Sequence, residues 1–172
     1  MTTTPDRTEA AAYYFTYIDQ VPEGDICQIM ERQMKEADAL FKRVDEQRSQ
    51  YRYAPDKWSI REVVGHLNDT ERLFVSRAFW FARGFDSPLP SFDQNQAIAG
   101  ARADERSWAE VAQEFLAIRS ATIPFFRALS AEAWDRRGTA SGNSFSVRAL
   151  AYMVAGHATH HFGHFTTKYG VT

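Results

Sequence analysis

Ser146-Val147-Arg148-Ala149-Leu150-Ala151-Tyr152-Met153-Val154-Ala155-Gly156-His157-Ala158-Thr159-His160-His161-Phe162-Gly163-His164-Phe165-Thr166-Thr167 is the stretch on which the reading of the fold turns. Val147, Leu150 and Val154 step by three and four, the spacing of one helix face, and the same steps continue to His157, His161 and His164. Four of the five histidines therefore lie within eight residues of one predicted helix. At about 100° per residue, His157 and His161 point within roughly 40° of the apolar line, toward a core, while His160 and His164 point roughly 90° away. A long helix with an aliphatic buried line needs other helices to cover it.

Three upstream segments meet that need. Asp25 is a good N-cap, and after it Ile26, Ile29, Met30, Met34, Ala37, Leu40, Phe41 and Val44 recur at helical spacing. Ser59-Ile60-Arg61-Glu62 is a capping box that opens a second helix, with Ile60, Val63, Val64, Leu67, Phe74 and Ala78 on its apolar stripe and an end near Phe81 or Arg83, before Gly84. His66, the fifth histidine, lies on this helix at the flank of the stripe. A second capping box, Ser107-Trp108-Ala109-Glu110, opens a third helix on which Trp108, Val111, Phe115 and Ile118 repeat, with Pro124 inside it. Tyr13 to Ile18 is a short aromatic segment, Ser130 to Trp134 a single turn, and residues 1–12 a flexible tail before one domain over 13–172. The expected architecture is all-α: an antiparallel four-helix bundle with long connecting loops. The connection from Gly84 to Gln94, carrying Pro88 and Pro90, is long enough to carry function.

Composition narrows the function. A chain of 172 residues with 44% apolar and 24% charged side chains fits one ordinary globular core. Its formal charge of -2 supplies no positive field for a nucleic acid or an anionic membrane surface. No run is long enough to span a bilayer, and the first residues lack a secretory signal, so a cytoplasmic protein is expected. The single cysteine, Cys27, cannot form an internal disulfide and reads as a small core residue.

The histidines carry the chemistry. Two imidazoles at i and i+4 project from one helix face and reach one ion; the competing reading keeps one as a satisfied core residue and leaves the others exposed. A third imidazole from a facing helix, His66, would complete a three-histidine set with a coordination position left open, as in catalytic zinc sites. A di-iron centre would need Glu-x-x-His motifs, which are absent; haem held between two histidines, such as His66 and His157, stays open as a lesser reading, without the covalent haem signature. Asp93, Asp69 and Glu71 are the candidates for a general acid or base. Each has a structural reading beside it: Asp93 as a cap of its loop, Asp69 as solvent-facing, Glu71 in an ion pair with Arg148 or Arg72. His160 reads as a surface residue and His164 as a support for a ligand.

Trp58 to Leu67, Pro90-Ser91-Phe92-Asp93-Gln94 and Val147 to His161 together resemble the DinB-like (YfiT-like) superfamily of small helical metal-binding proteins, from about Ile26 to the end of the chain. The resemblance implies that His66, His157 and His161 are metal ligands, that the metal is nickel or zinc, and that the bundle forms a homodimer. It further implies a small-molecule substrate and transfer of a low-molecular-weight thiol to an electrophile, with hydrolysis by metal-activated water as the alternative. A non-enzymatic module, with a structural metal or an aromatic surface of Trp80, Phe81 and Phe85 that pairs two chains, is the third reading.

Overall fold

A computed structural model describes residues 3–171. Among them lie seven helices: α1 (Phe15–Ile18), α2 (Ile26–Phe41), α3 (Ile60–Ala82), α4 (Gln94–Ala101), α5 (Trp108–Arg127), α6 (Ala131–Asp135) and α7 (Val147–Thr167). Between the last two, β1 (Arg137–Ala140) and β2 (Asn143–Ser146) form an antiparallel hairpin. The long helices start where side chains satisfy free amides. Asp25 accepts from Gln28 N, both capping boxes close reciprocally, and Ser146 accepts from Ala149 N. Pro124 sits inside α5, which runs on to Arg127.

The expected four-helix bundle is present, built from α2, α3, α5 and α7, and its connectivity has a particular form. α3 packs on α5 and α7, and α2 also packs on α5 and α7, so the consecutive pairs α2/α3 and α5/α7 sit across the diagonals. Side-chain pairs fix the directions. Asn68 bonds the carbonyl of Val111 and Glu71 pairs with Arg119, so α3 and α5 run the same way. His66, early in α3, meets His157 and His161, late in α7, so these two helices are antiparallel. Phe41 at the end of α2 meets Trp108 at the start of α5, which makes that pair antiparallel too. A parallel neighbour after α3 requires the chain to travel back the length of the bundle, and the long connection from residue 83 to 107, carrying α4, does so.

The hairpin and α4 are additions to the sequence reading. The hairpin turns at Ser141 and Gly142, both with positive φ (52° and 73°), where the glycine removes the steric cost at one of the two positions. Gly138 in β1 lies flat on Phe81: an added Cβ would fall 2.0 Å from the ring. Phe81 is therefore core, 1% exposed, and does not belong to an aromatic surface; Trp80 and Phe85 stack on each other at 4.2 Å outside it. Met1 and Thr2, in the segment expected as a tail, lie outside the described residues. Pro5, Glu9 and Ala10 of the same segment are buried, and Glu9 accepts from Ser146 Oγ at 2.6 Å and, through its carbonyl, from Ser146 N at 3.0 Å.

Buried guanidinium groups organise the interior, Arg119 and Arg77 among them. Arg119 holds both carboxylate oxygens of Glu71 at 2.8 to 3.0 Å and donates to Gln33 Oε1 at 2.9 Å. Gln33 in turn donates to the Ala155 carbonyl (2.9 Å) and Thr159 Oγ1 (2.7 Å) on α7. The partner of Glu71 is thus Arg119 rather than Arg148 or Arg72. Arg148 lies at the other end of the bundle with Asp135, and Arg72 reaches outward to Glu114. Arg77 donates to the Pro90 carbonyl (3.0 Å) and Ser141 Oγ (2.8 Å), fastening the loop after α3 to the hairpin.

Candidate metal centre

The second turn of α3 and the C-terminal half of α7 bring three imidazoles together. His157 Nε2 lies 3.1 Å from His66 Nε2 and 3.1 Å from His161 Nε2. The three donor atoms all fall within 4.8 Å of one another. His66 and His157 are 4% and 6% exposed, and His161 is partly exposed, giving the cluster its solvent side.

These distances fit a cation better than hydrogen bonds. A neutral imidazole nitrogen has either one hydrogen or one lone pair, so His157 Nε2 can satisfy only one of its two nitrogen neighbours. The other contact sets like groups against each other in a buried place. Nitrogens bound at about 2.1 Å with angles of 90 to 110° lie about 3.0 to 3.4 Å apart, which brackets the observed spacing. Burial keeps the donors unprotonated. It lowers His66 to about 4 and His161 to about 2, the latter helped by the neighbouring imidazoles, and it holds His157 far below the ordinary histidine range. Thr70 Oγ1, one turn after His66, lies 3.3 Å from His66 Nδ1. A hydrogen on Nδ1 donated there leaves the Nε2 lone pair facing the cluster.

The three carboxylates sit elsewhere. Asp93 is exposed and accepts from Asn95 N (2.8 Å) and Gln96 N (3.1 Å), as the N-cap of α4. Asp69 is half-buried, with part of its side chain open to solvent and Arg72 at 3.7 Å; burial raises its pKa. Glu71 has both oxygens on Arg119. His160, read as a surface residue, is half-buried against the edge of Tyr17. The cavity of about 650 Å³ between the start of α2 and the end of α5, bordered by Cys27, Phe126, Arg127 and Trp134, is at the opposite end of the bundle. The donor set, not that cavity, marks the site.

The family profile of the DinB superfamily matches residues 29–165, which takes in all three histidines. The chain belongs to the DinB superfamily. Among solved structures, this DinB-superfamily chain is similar to YfiT from Bacillus subtilis, described as "a probable metal-dependent hydrolase with an unusual four-helix bundle topology", with a TM-score of 0.72, 14% identity, and coverage of 95% of this chain and 89% of that one. It is also similar to a mycothiol-dependent maleylpyruvate isomerase, with a TM-score of 0.71, 13% identity, and coverage of 90% of this chain and 63% of the isomerase. At these identities the likeness is one of fold. No curated protein matches the sequence.

Around the donors, this member of the DinB superfamily has an aromatic wall in which Phe74 comes from the expected stripe of α3, while periodicity did not single out Trp58 and Tyr17. The Trp58 ring lies 4.9 Å from that of His66, and Tyr17 and Phe74 meet His157 edge-on at 5.2 and 6.1 Å. Tyr17 reaches this position because α1 crosses α7 at Gly156, where a Cβ would lie 2.1 Å from the Tyr17 carbonyl oxygen. The Gly156-His157 dipeptide was the available signal: a glycine inside a long helix marks a close approach. Among the described residues, no helix is long and apolar enough to cross a membrane.

Proposed function

We propose that this protein is an enzyme that holds nickel or zinc through His66, His157 and His161 and activates a low-molecular-weight thiol for transfer to a small electrophilic substrate. The observation that carries this reading is the convergence of three neutral, buried imidazole nitrogens with no carboxylate contacting them among the described residues. When bound, a divalent cation supplies Lewis acidity and favours the deprotonated form of a coordinating thiol or water. The chain's own residues prepare the place for it. Three neutral ligands leave the charge of the ion uncompensated and a position open. Trp58, Phe74 and Tyr17 keep the surroundings poor in water, which strengthens electrostatic effects there. His161 borders the partly exposed side, where a small molecule enters.

Hydrolysis is the second reading, favoured by the same donor set, which is also that of hydrolytic zinc sites, and by the description of YfiT. Asp93, Asp69 and Glu71 are engaged by Asn95 and Gln96, Arg72 and Arg119 respectively, so neither reading assigns a proton transfer to them. A homodimer is part of the proposal on the family resemblance, and sedimentation measures it.

The test is metal analysis of the purified chain beside His66→Ala, His157→Ala and His161→Ala, followed by turnover of an electrophilic substrate with and without thiols. Loss of the tightly held ion in all three variants is expected, with retention in Asp93→Ala. Unchanged metal content would remove the ligand assignment. Equal turnover with and without thiol would remove the transfer reading and leave hydrolysis.

A further inference from the structure

We infer that His160 and His164 form a second, outer site for a divalent transition cation, separate from the inner centre. Both lie on the unbroken helix α7 at i and i+4, and both are half-buried, so an ion reaches them from solvent without passing the core. Their ring centroids are 4.4 Å apart; those of His157 and His161, the inner i, i+4 pair, are 4.6 Å apart with their Nε2 atoms at 3.1 Å. A similar bite is therefore within reach of the outer pair through rotation about the side-chain torsions. The His160 ring is braced by the edge of Tyr17 at 5.4 Å and by Gln20 Nε2, 3.4 Å from its Nδ1. Gln20 is itself anchored on the Thr16 carbonyl at 2.6 Å.

The donors choose the ligand. Two imidazoles with no carboxylate in contact among the described residues suit nickel, copper or zinc and not magnesium or calcium. Water fills the remaining positions. The outer site is weaker than the inner one for three reasons: it has two protein donors instead of three, Lys168 places a positive charge beside His164, and a cation in the inner centre repels a second one nearby. The two sites are close, since the His160 and His164 rings lie 5.2 and 5.8 Å from the His161 ring. The outer site stands whether the inner centre transfers thiols or hydrolyses.

Titration of the chelator-stripped, full-length chain with Ni²⁺ by calorimetry tests this. Wild type is expected to show two classes of site. His160→Ala and His164→Ala each weaken the second class at least about tenfold, the lower bound for losing even a supporting partner of a metal, and leave the first intact. Circular dichroism checks that each variant is helical, and His160→Gln and His164→Gln repeat the measurement without removing bulk. A single class in wild type that survives His160→Ala, or a second class that survives both substitutions, overturns the proposal. Failure of the inner site is distinguishable: binding then persists in His157→Ala and disappears in His160→Ala.

Discussion

Glu71→Ala isolates the interaction on which the bundle interior depends. The wild-type pair is bidentate, with Arg119 Nε at 2.9 Å from Oε1 and 3.0 Å from Oε2, and a terminal nitrogen at 2.8 Å from Oε2. The two side chains are 0% and 4% exposed. Removing the carboxylate leaves a guanidinium without a counter-charge in a place water does not reach, with Gln33 Oε1 as its remaining acceptor at 2.9 Å. Breaking a buried pair in this way costs about 3 to 5 kcal/mol. With a urea slope of about 2 to 3 kcal/mol per molar, the midpoint of unfolding should fall by about 1 to 2.5 M. The double variant Glu71→Leu/Arg119→Met removes both charges and should recover most of that loss, held back by about 1 kcal/mol because Gln33 Oε1 loses its donor. Both variants should keep one tightly held metal ion per chain where they are folded. A loss below about 1 kcal/mol in Glu71→Ala, or a double variant less stable than the single, would refute the reasoning.

Three further outcomes are expected. Thr70→Val keeps the shape of the side chain and removes the oxygen 3.3 Å from His66 Nδ1; metal affinity, measured by competition with a chromophoric chelator, should fall about tenfold or more with little change in folding. In the chelator-stripped protein, His66 and His161 are neutral when folded, with pKa values lowered from 6.5 to about 4 and about 2, and charge when unfolded. Their contribution to stability is then complete above pH 6.5 and shrinks as the pH falls toward the folded values, by roughly 2 kcal/mol per group at pH 5; urea midpoints that stay level between pH 7 and 5 would contradict it. Gly156→Ala places a Cβ 2.1 Å from the Tyr17 carbonyl oxygen and should cost about 1 to 3 kcal/mol, whereas Gly163→Ala, with open space around it, should stabilise by up to about 1 kcal/mol in thermal melts.

The long helices were legible because their signals are local. Asp25, Ser59, Ser107 and Ser146 each cap the helix they were expected to open, and the apolar steps that follow set its buried face. The continuation of the Val147, Leu150, Val154 line through His157 to His161 pointed two imidazoles inward, and the structure places them there. What stayed illegible depends on partners far apart in sequence. Nothing at Glu71 distinguishes Arg119 from Arg72, because the choice follows from α5 lying beside α3 in the same direction. Helical spacing alone does not report the direction of a neighbour. His66 sat at the flank of its stripe because the α7 contact lies to one side of the face that packs on α5. The hairpin has strands of four residues each, too short for an alternating pattern to register, and its turn rests on Ser141, a residue that seldom announces a positive φ.

Polar contacts also help to aim the histidines. α7 is buried on nearly every side from Ala149 to Ala158, so burial of apolar surface gives it little reason to prefer one rotation about its axis over another. A rotation of one residue, about 100°, would carry His157 and His161 off the line to His66. Two features oppose it. Tyr17 can lie against α7 only where Gly156 presents no side chain, which fixes one face of the helix to α1. On another face, Gln33 grips the Ala155 carbonyl and Thr159 Oγ1, and Gln33 is held by Arg119, which is held by Glu71. That chain of bonds passes from α3 through α5 and α2 to α7 and ends at Thr159, between the two inner ligands. Buried polar groups rarely add net stability over well-packed apolar ones, but they penalise every arrangement that leaves them unpaired. In this bundle the penalised arrangements include those in which the three imidazoles do not meet.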